Sequence, residues 1–287
     1  TRRQTTRRSL SGIGILSLQR GSGVSSTCSF EVEGASGRSA GTRSFGSRVC
    51  NCLRAWQVRL RERIESRCGL GAQARLLPER ISAADGDNSG RGFLMCAKIV
   101  PYSVLGSSSS RQVAPLPNSE TAVVDAVDFE DLRGAPDSVG GTAAALYRWL
   151  GLKGSSFPEP VRAAITAPLQ AKLHAYTAEG STRVKQCIHT AGPDFRGRPP
   201  AFSHGEAASE LAEAYRAALA EFCASGLQSL RLPPLSSGPY VGPFAPQLPT
   251  LIAEALEKAF EALGAEERRR LLAADTELCV FEADEVA

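Results

Sequence analysis

The sequence predicts an α/β fold with a largely parallel sheet covered on both sides. Three observations lead there. The run Thr121–Val127 is apolar almost throughout, as a strand buried on both faces is, and Val184–Thr190 and Leu227–Leu232 read as further strands. Segments of helical spacing stand between them. In Glu206–Ala224 the residues Leu211, Ala214, Tyr215, Ala218, Leu219 and Phe222 share one side. Strands that alternate with helices favour crossover connections, and therefore parallel pairing.

The elements follow in order after Met95, the only Met in the chain. Ala97–Leu105 reads as a strand and Gly106–Arg111 as a Ser-rich loop. Thr121–Val127 is the next strand, and Asp128–Gly141 is a loop punctuated by Gly134, Pro136, Gly140 and Gly141. Thr142–Leu150 has helical spacing through Leu146, Trp149 and Leu150. Pro158–Tyr176 is expected to be a second helix, with Pro160 tolerated in its first turn and Pro168 kinking or dividing it. Gly192-Pro193 stops the strand Val184–Thr190, and Asp194–Gly205 is a loop. Gly226 ends the helix Glu206–Ala224. The strand Leu227–Leu232 runs through Pro233, Pro234 and Leu235 into Ser236-Ser237-Gly238-Pro239-Tyr240. Helical segments Leu248–Leu263 and Glu266–Ala274 and a last strand, Leu278–Phe281, complete the chain.

Charge separates two regions. Residues 1–94 hold sixteen Arg, no Lys and seven acidic residues, whereas residues 95–287 are net acidic. The overall pI of 8.4 is therefore no sign of nucleic-acid binding by the folded part. Thr1 to about Ser47 is too poor in apolar residues to offset chain ordering, and disorder is expected there. Two accounts of residues 1–94 stand open. An Arg- and Ser-rich, acid-poor segment looks like a transit peptide; a Lys-free stretch ahead of Met95 also looks like translated upstream sequence. Residues 95–287 form the domain in either case.

Cys50 and Cys52 are separated by one residue, which is not zinc-finger spacing, and no metal or cofactor is expected. Cys96, Cys187, Cys223 and Cys279 read as reduced, packed thiols of an intracellular protein. The compartment is cytoplasmic, or organellar if the leader is a transit peptide. No apolar run reaches the roughly 18 residues that a membrane span needs.

The turn at Ser236–Tyr240 joins a strand's carboxyl end to a helical segment, a place that suits a phosphate. Leu230–Tyr240 resembles the phosphate loop of macrodomains, the ADP-ribose-binding α/β/α modules. Cys187-Ile188-His189-Thr190-Ala191-Gly192-Pro193 resembles their strand-to-loop signature, and Leu211–Leu219 with Gly226 their intervening helix. The resemblance covers about residues 97–282. It implies three layers around a mixed, mostly parallel sheet, and ADP-ribose, free or on a modified protein, as partner. It implies ligand contacts from Ser236, Ser237, Gly238, Pro239 and Tyr240, from the facing Val139, Gly140 and Gly141, from Asp125 at a ribose, and from Phe281 at adenine. Asp128 is the residue that would orient water if hydrolysis survives.

The departures are specific. Asp125-Ala126-Val127-Asp128 stands where the family carries Asn-Ala-Ala-Asn, and an ionised Asp accepts hydrogen bonds but donates none. Pro136 and side chains interrupt the glycine run, and Pro239 removes an N–H from the phosphate loop. Val113–Asn118, where an adenine-binding acid would stand, has no acid. Hydrolysis is therefore expected to be weak or lost. A second reading makes the domain a structural or interaction subunit of a larger assembly, without a ligand. His189, inside an apolar strand, is expected to be a buried structural residue.

Overall fold

The computed structural model describes residues 93–280, except 95, 109–110, 155 and 178–181. All of them lie in the second of the chain's two units, Ser44–Ala287. Cys28, Cys50, Cys52, Cys68, Met95, Phe281 and the basic leader fall outside the described residues.

Strand β1 (Lys98–Val100) is followed by a small antiparallel hairpin, β2 (Ser107–Ser108) with β3 (Arg111–Gln112). Strand β4 (Thr121–Val127) leads into α1 (Phe129–Arg133), α2 (Gly141–Leu150) and α3 (Glu159–Ala164). Strands β5 (Ala171–Thr177) and β6 (Val184–Ala191) precede the long helix α4 (His204–Ser225). Strand β7 (Ser229–Leu232), a 3₁₀ segment (Gly238–Gln247), α5 (Leu248–Glu261), α6 (Ala265–Ala273) and β8 (Asp275–Cys279) follow.

The main sheet runs in the order β1-β8-β7-β4-β6-β5. Every neighbouring pair is parallel except β5 with β6. Side chains alternate across it, so β4 sends Ala122 and Val124 to one face and Val123 and Val127 to the other. Helices α4, α5 and α6 cover the first face; α2 and α3 cover the second. The result is the expected α/β/α arrangement of three layers.

Helix α4 is the main cover. Ser203 accepts from the Glu206 amide while the Glu206 carboxylate accepts from the Ser203 amide, so the start of the helix is capped on both sides. Gly226 ends it in the left-handed conformation. Leu211, Leu219 and Phe222 are fully buried, which stabilises the fold by roughly 2 kcal/mol each.

Several local expectations need correction. The helix expected over Pro158–Tyr176 is only the short α3 followed by edge strand β5. Leu169 has a φ of 68°, which stops any helix, and it follows Pro168 directly. Leu169, Leu173 and Tyr176 are spaced 4 and 3 apart, which imitates a helix face. In the strand, Leu173 packs on one face and Tyr176 on the other. The first strand is shorter than expected, and the loop after it contains the hairpin. The loop at Asp128–Gly141 holds α1, started by Asp128 itself. The last strand begins at Asp275, in polar residues whose pairing is set by β7 on one side and β1 on the other.

Candidate functional site

The carboxyl ends of the parallel strands β4, β6 and β7 meet at a shallow cleft that opens to solvent and encloses a volume of about 20 Å³. It is lined by Ala126, Val127 and Asp128 from β4, Gly192 and Pro193 from β6, and Ser236 and Tyr240 after β7. Open α/β sheets place their ligands at this end. That volume is far below the usual 300–1,000 Å³ or so of small-molecule pockets.

The phosphate-like loop forms the cleft's back. The Leu235 amide donates to the buried Tyr215 hydroxyl at 2.9 Å, which ties the loop to α4. Ser236 is buried with a φ of 53°, a strained conformation for a side chain other than Gly. Its hydroxyl donates to the Pro193 carbonyl at 2.5 Å, so this hydroxyl braces one strand exit against another. Gly192 lets that contact form: a Cβ there would stand 3.0 Å from Ser236 Oγ. Ser237 donates to the Pro234 carbonyl at 3.0 Å, and Gly238 has a φ of 64° with open space above it. The first amides of the 3₁₀ segment have no partner within it, although Pro239 contributes none.

Tyr240 closes the mouth. Its hydroxyl donates to Asp131 Oδ2 at 3.3 Å, and its carbonyl accepts from the Phe195 amide at 2.9 Å. The Arg196 guanidinium lies 4.5 Å above its ring. Burial, and then the charges of Asp131 and Asp128, raise the Tyr240 hydroxyl above its ordinary pKa. Asp194 grips Arg196 at 2.7 to 3.0 Å, and this hydrogen bonding holds its carboxyl below the usual range.

Asp128 lines the cleft but also caps α1, accepting from the Glu130 amide at 2.7 Å through Oδ1. Its Oδ2 lies 3.9 Å from Arg196. Asp125 is not in the cleft. It is buried on the face under α2 and α3, where its Oδ2 lies 2.8 Å from His189 Nδ1. His189 Nε2 lies 2.7 Å from the Tyr176 hydroxyl, so the three residues form one buried polar chain. His189 has the structural place that its apolar strand implies. The reason for Asp125 is register: it pairs with His189 across β4 and β6 and so shares its face.

Val139, half-buried, packs under the second face. Gly140 caps the N-terminus of α2, and Gly141 has a φ of 65°; both are exposed, with open space where a Cβ would stand. None of the three is among the residues lining the cleft. The sequence marks Gly192 and Pro193 as a strand stop and family signature, but Asp194 and Arg196 read there as an ordinary loop. Their signal was position, because a loop leaving a central parallel strand lies at the ligand end of the sheet.

A family model, Macro domain, matches residues 140–251. Over those residues the chain resembles a macrodomain. No curated protein matches it. Among solved structures, it is similar to an alphavirus protein described as P23pro-zbd, at 21% identity over 66% of this chain and 22% of that one, with a TM-score of 0.37. This chain thus spans about a fifth of that alphavirus chain. It is also similar to a macrodomain of Oceanobacillus iheyensis with ADP, at 17% identity over 65% and 84% of the two chains, with a TM-score of 0.38. A mutant of the same macrodomain with ADPR shows 19% identity over 57% and 80%, with a TM-score of 0.34. Among the described residues, no helix is long and apolar enough to cross a membrane.

Proposed function

We propose that this domain recognises ADP-ribose, or a related nucleotide, at the cleft between β4, β6 and β7, either free or attached to a protein. One observation carries the reading: the loop Leu235–Tyr240 brings a braced turn and the start of a 3₁₀ segment to the carboxyl ends of three parallel strands. Backbone amides at such a place favour a phosphate. Asp128 is the candidate to orient water for hydrolysis. Its Oδ1 is committed to a helix cap, which leaves Oδ2 for that task and supports weak turnover or none.

A second reading has its own observation. Tyr240, Asp131, Arg196 and Asp194 bond to one another across the cleft mouth, and the cleft is small. A domain whose mouth is held shut in this way serves as a structural or interaction module. Calorimetric titration of the full chain with ADP-ribose separates the two. Binding that is abolished in Gly238→Glu, which sets a carboxylate beside the loop amides, is the expected result. No heat at millimolar ligand would sink the first reading. Release of ADP-ribose from a modified protein, lost in Asp128→Ala, is the result a hydrolase requires.

A further inference from the structure

Resting on that reading, we propose that Arg196 is the cationic partner of the ligand's diphosphate, held in place by Asp194 until the ligand takes it over. The loop after β7 is short of one amide donor, at Pro239. A diphosphate in this cleft therefore needs another source of positive charge. Arg196 stands at the mouth, 4.5 Å above the ring of Tyr240 and 3.9 Å from Asp128, both of which line the cleft.

The present partner shows the geometry the guanidinium prefers. Arg196 Nε lies 3.0 Å from both Asp194 oxygens, and Nη2 lies 2.7 Å from Oδ2. The same planar fork pairs phosphate oxygens, so a phosphate can compete with Asp194 for it. The Arg196 side chain is 52% exposed and can turn from one anion to the other without opening the core. Its neighbours are committed elsewhere. Arg198 pairs with Glu210 and donates to the Asp194 carbonyl, and Arg133 stacks on Phe129 and reaches the Thr166 carbonyl. The Phe195 amide bonds to the Tyr240 carbonyl, so the backbone beside Arg196 is anchored to the cleft wall while its side chain moves.

The test is calorimetry with ADP-ribose on the full chain, at low and high salt, for the wild type, Arg196→Gln and Asp194→Asn. Arg196→Gln is expected to weaken binding about 10- to 100-fold and to flatten its salt dependence. Asp194→Asn keeps an oxygen for the Arg196 amide but frees the guanidinium, and is expected to tighten binding roughly threefold to tenfold. A purely structural brace predicts the reverse for Asp194→Asn, so weaker binding in both variants overturns the proposal. Wild-type binding matched by Arg196→Gln also overturns it and leaves ADP-ribose recognition standing. Absence of wild-type binding overturns that recognition and this inference together.

Discussion

Gly242→Ala is the substitution whose consequence follows most directly from the backbone. Gly242 sits inside the 3₁₀ segment after the phosphate loop, at φ 51° and ψ −131°. A side chain rarely adopts that conformation, and forcing one into it costs about 1–3 kcal/mol. Space is short as well. A Cβ would stand 2.4 Å from the Phe195 carbonyl oxygen, 2.8 Å from its carbon and 3.1 Å from the Arg196 nitrogen. These are backbone atoms, so the 195–196 segment has to move, at a further cost of about 1–3 kcal/mol. The total is on the order of 2–6 kcal/mol. For a folded part of this size it corresponds to a melting point lowered by about 10 °C. Urea unfolding followed by circular dichroism, with a thermal scan, measures both quantities. The same displacement pulls the Phe195 amide from the Tyr240 carbonyl, so ADP-ribose affinity should fall as well. A variant within about 0.5 kcal/mol of wild type would show that the 195–196 segment yields freely and refute the argument.

Two further predictions follow. Asp125→Ala leaves His189 Nδ1 without its buried partner and should destabilise the domain by about 2–3 kcal/mol in urea unfolding. ADP-ribose affinity of the folded protein should stay unchanged, because Asp125 does not line the cleft; a large loss of affinity at full stability would place it in the site after all. All five tyrosines have raised pKa values. Burial, then the bond to Glu277, pushes Tyr102 up to about 12, while Tyr147, Tyr176 and Tyr215 are pushed higher, mainly by burial. The neutral forms are favoured in the folded state. Their contribution is therefore complete below the unfolded tyrosine value of about 10 and is lost as pH rises through the raised values. Absorbance of tyrosinate should stay low at pH 10 in the folded protein and rise together with alkaline unfolding; full ionisation at pH 10 with the fold intact would contradict it.

The covered α/β sheet was legible in the residues themselves. The nearly continuous apolar run of β4 and the apolar side of α4 need cover, and the Gly and Pro stops are local chemistry. The loop Leu235–Tyr240 was legible for the same reason, since its Ser, Gly and Pro residues act on their own backbone. Strand β5 was not legible. An edge strand needs little alternation, and Leu173 and Tyr176 keep a helical spacing while facing opposite ways. The site was legible only in part. Asp125 and Asp128 stand three apart in sequence, yet the pleat and the start of α1 send one beneath the helices and the other to the cleft. Arg196 has no signature of its own. It matters because β6 and β7, separated in sequence by the whole of α4, bring it over Tyr240. Such a contact depends on how the strands are ordered in the sheet, which no local pattern encodes, and tertiary structure alone decides it.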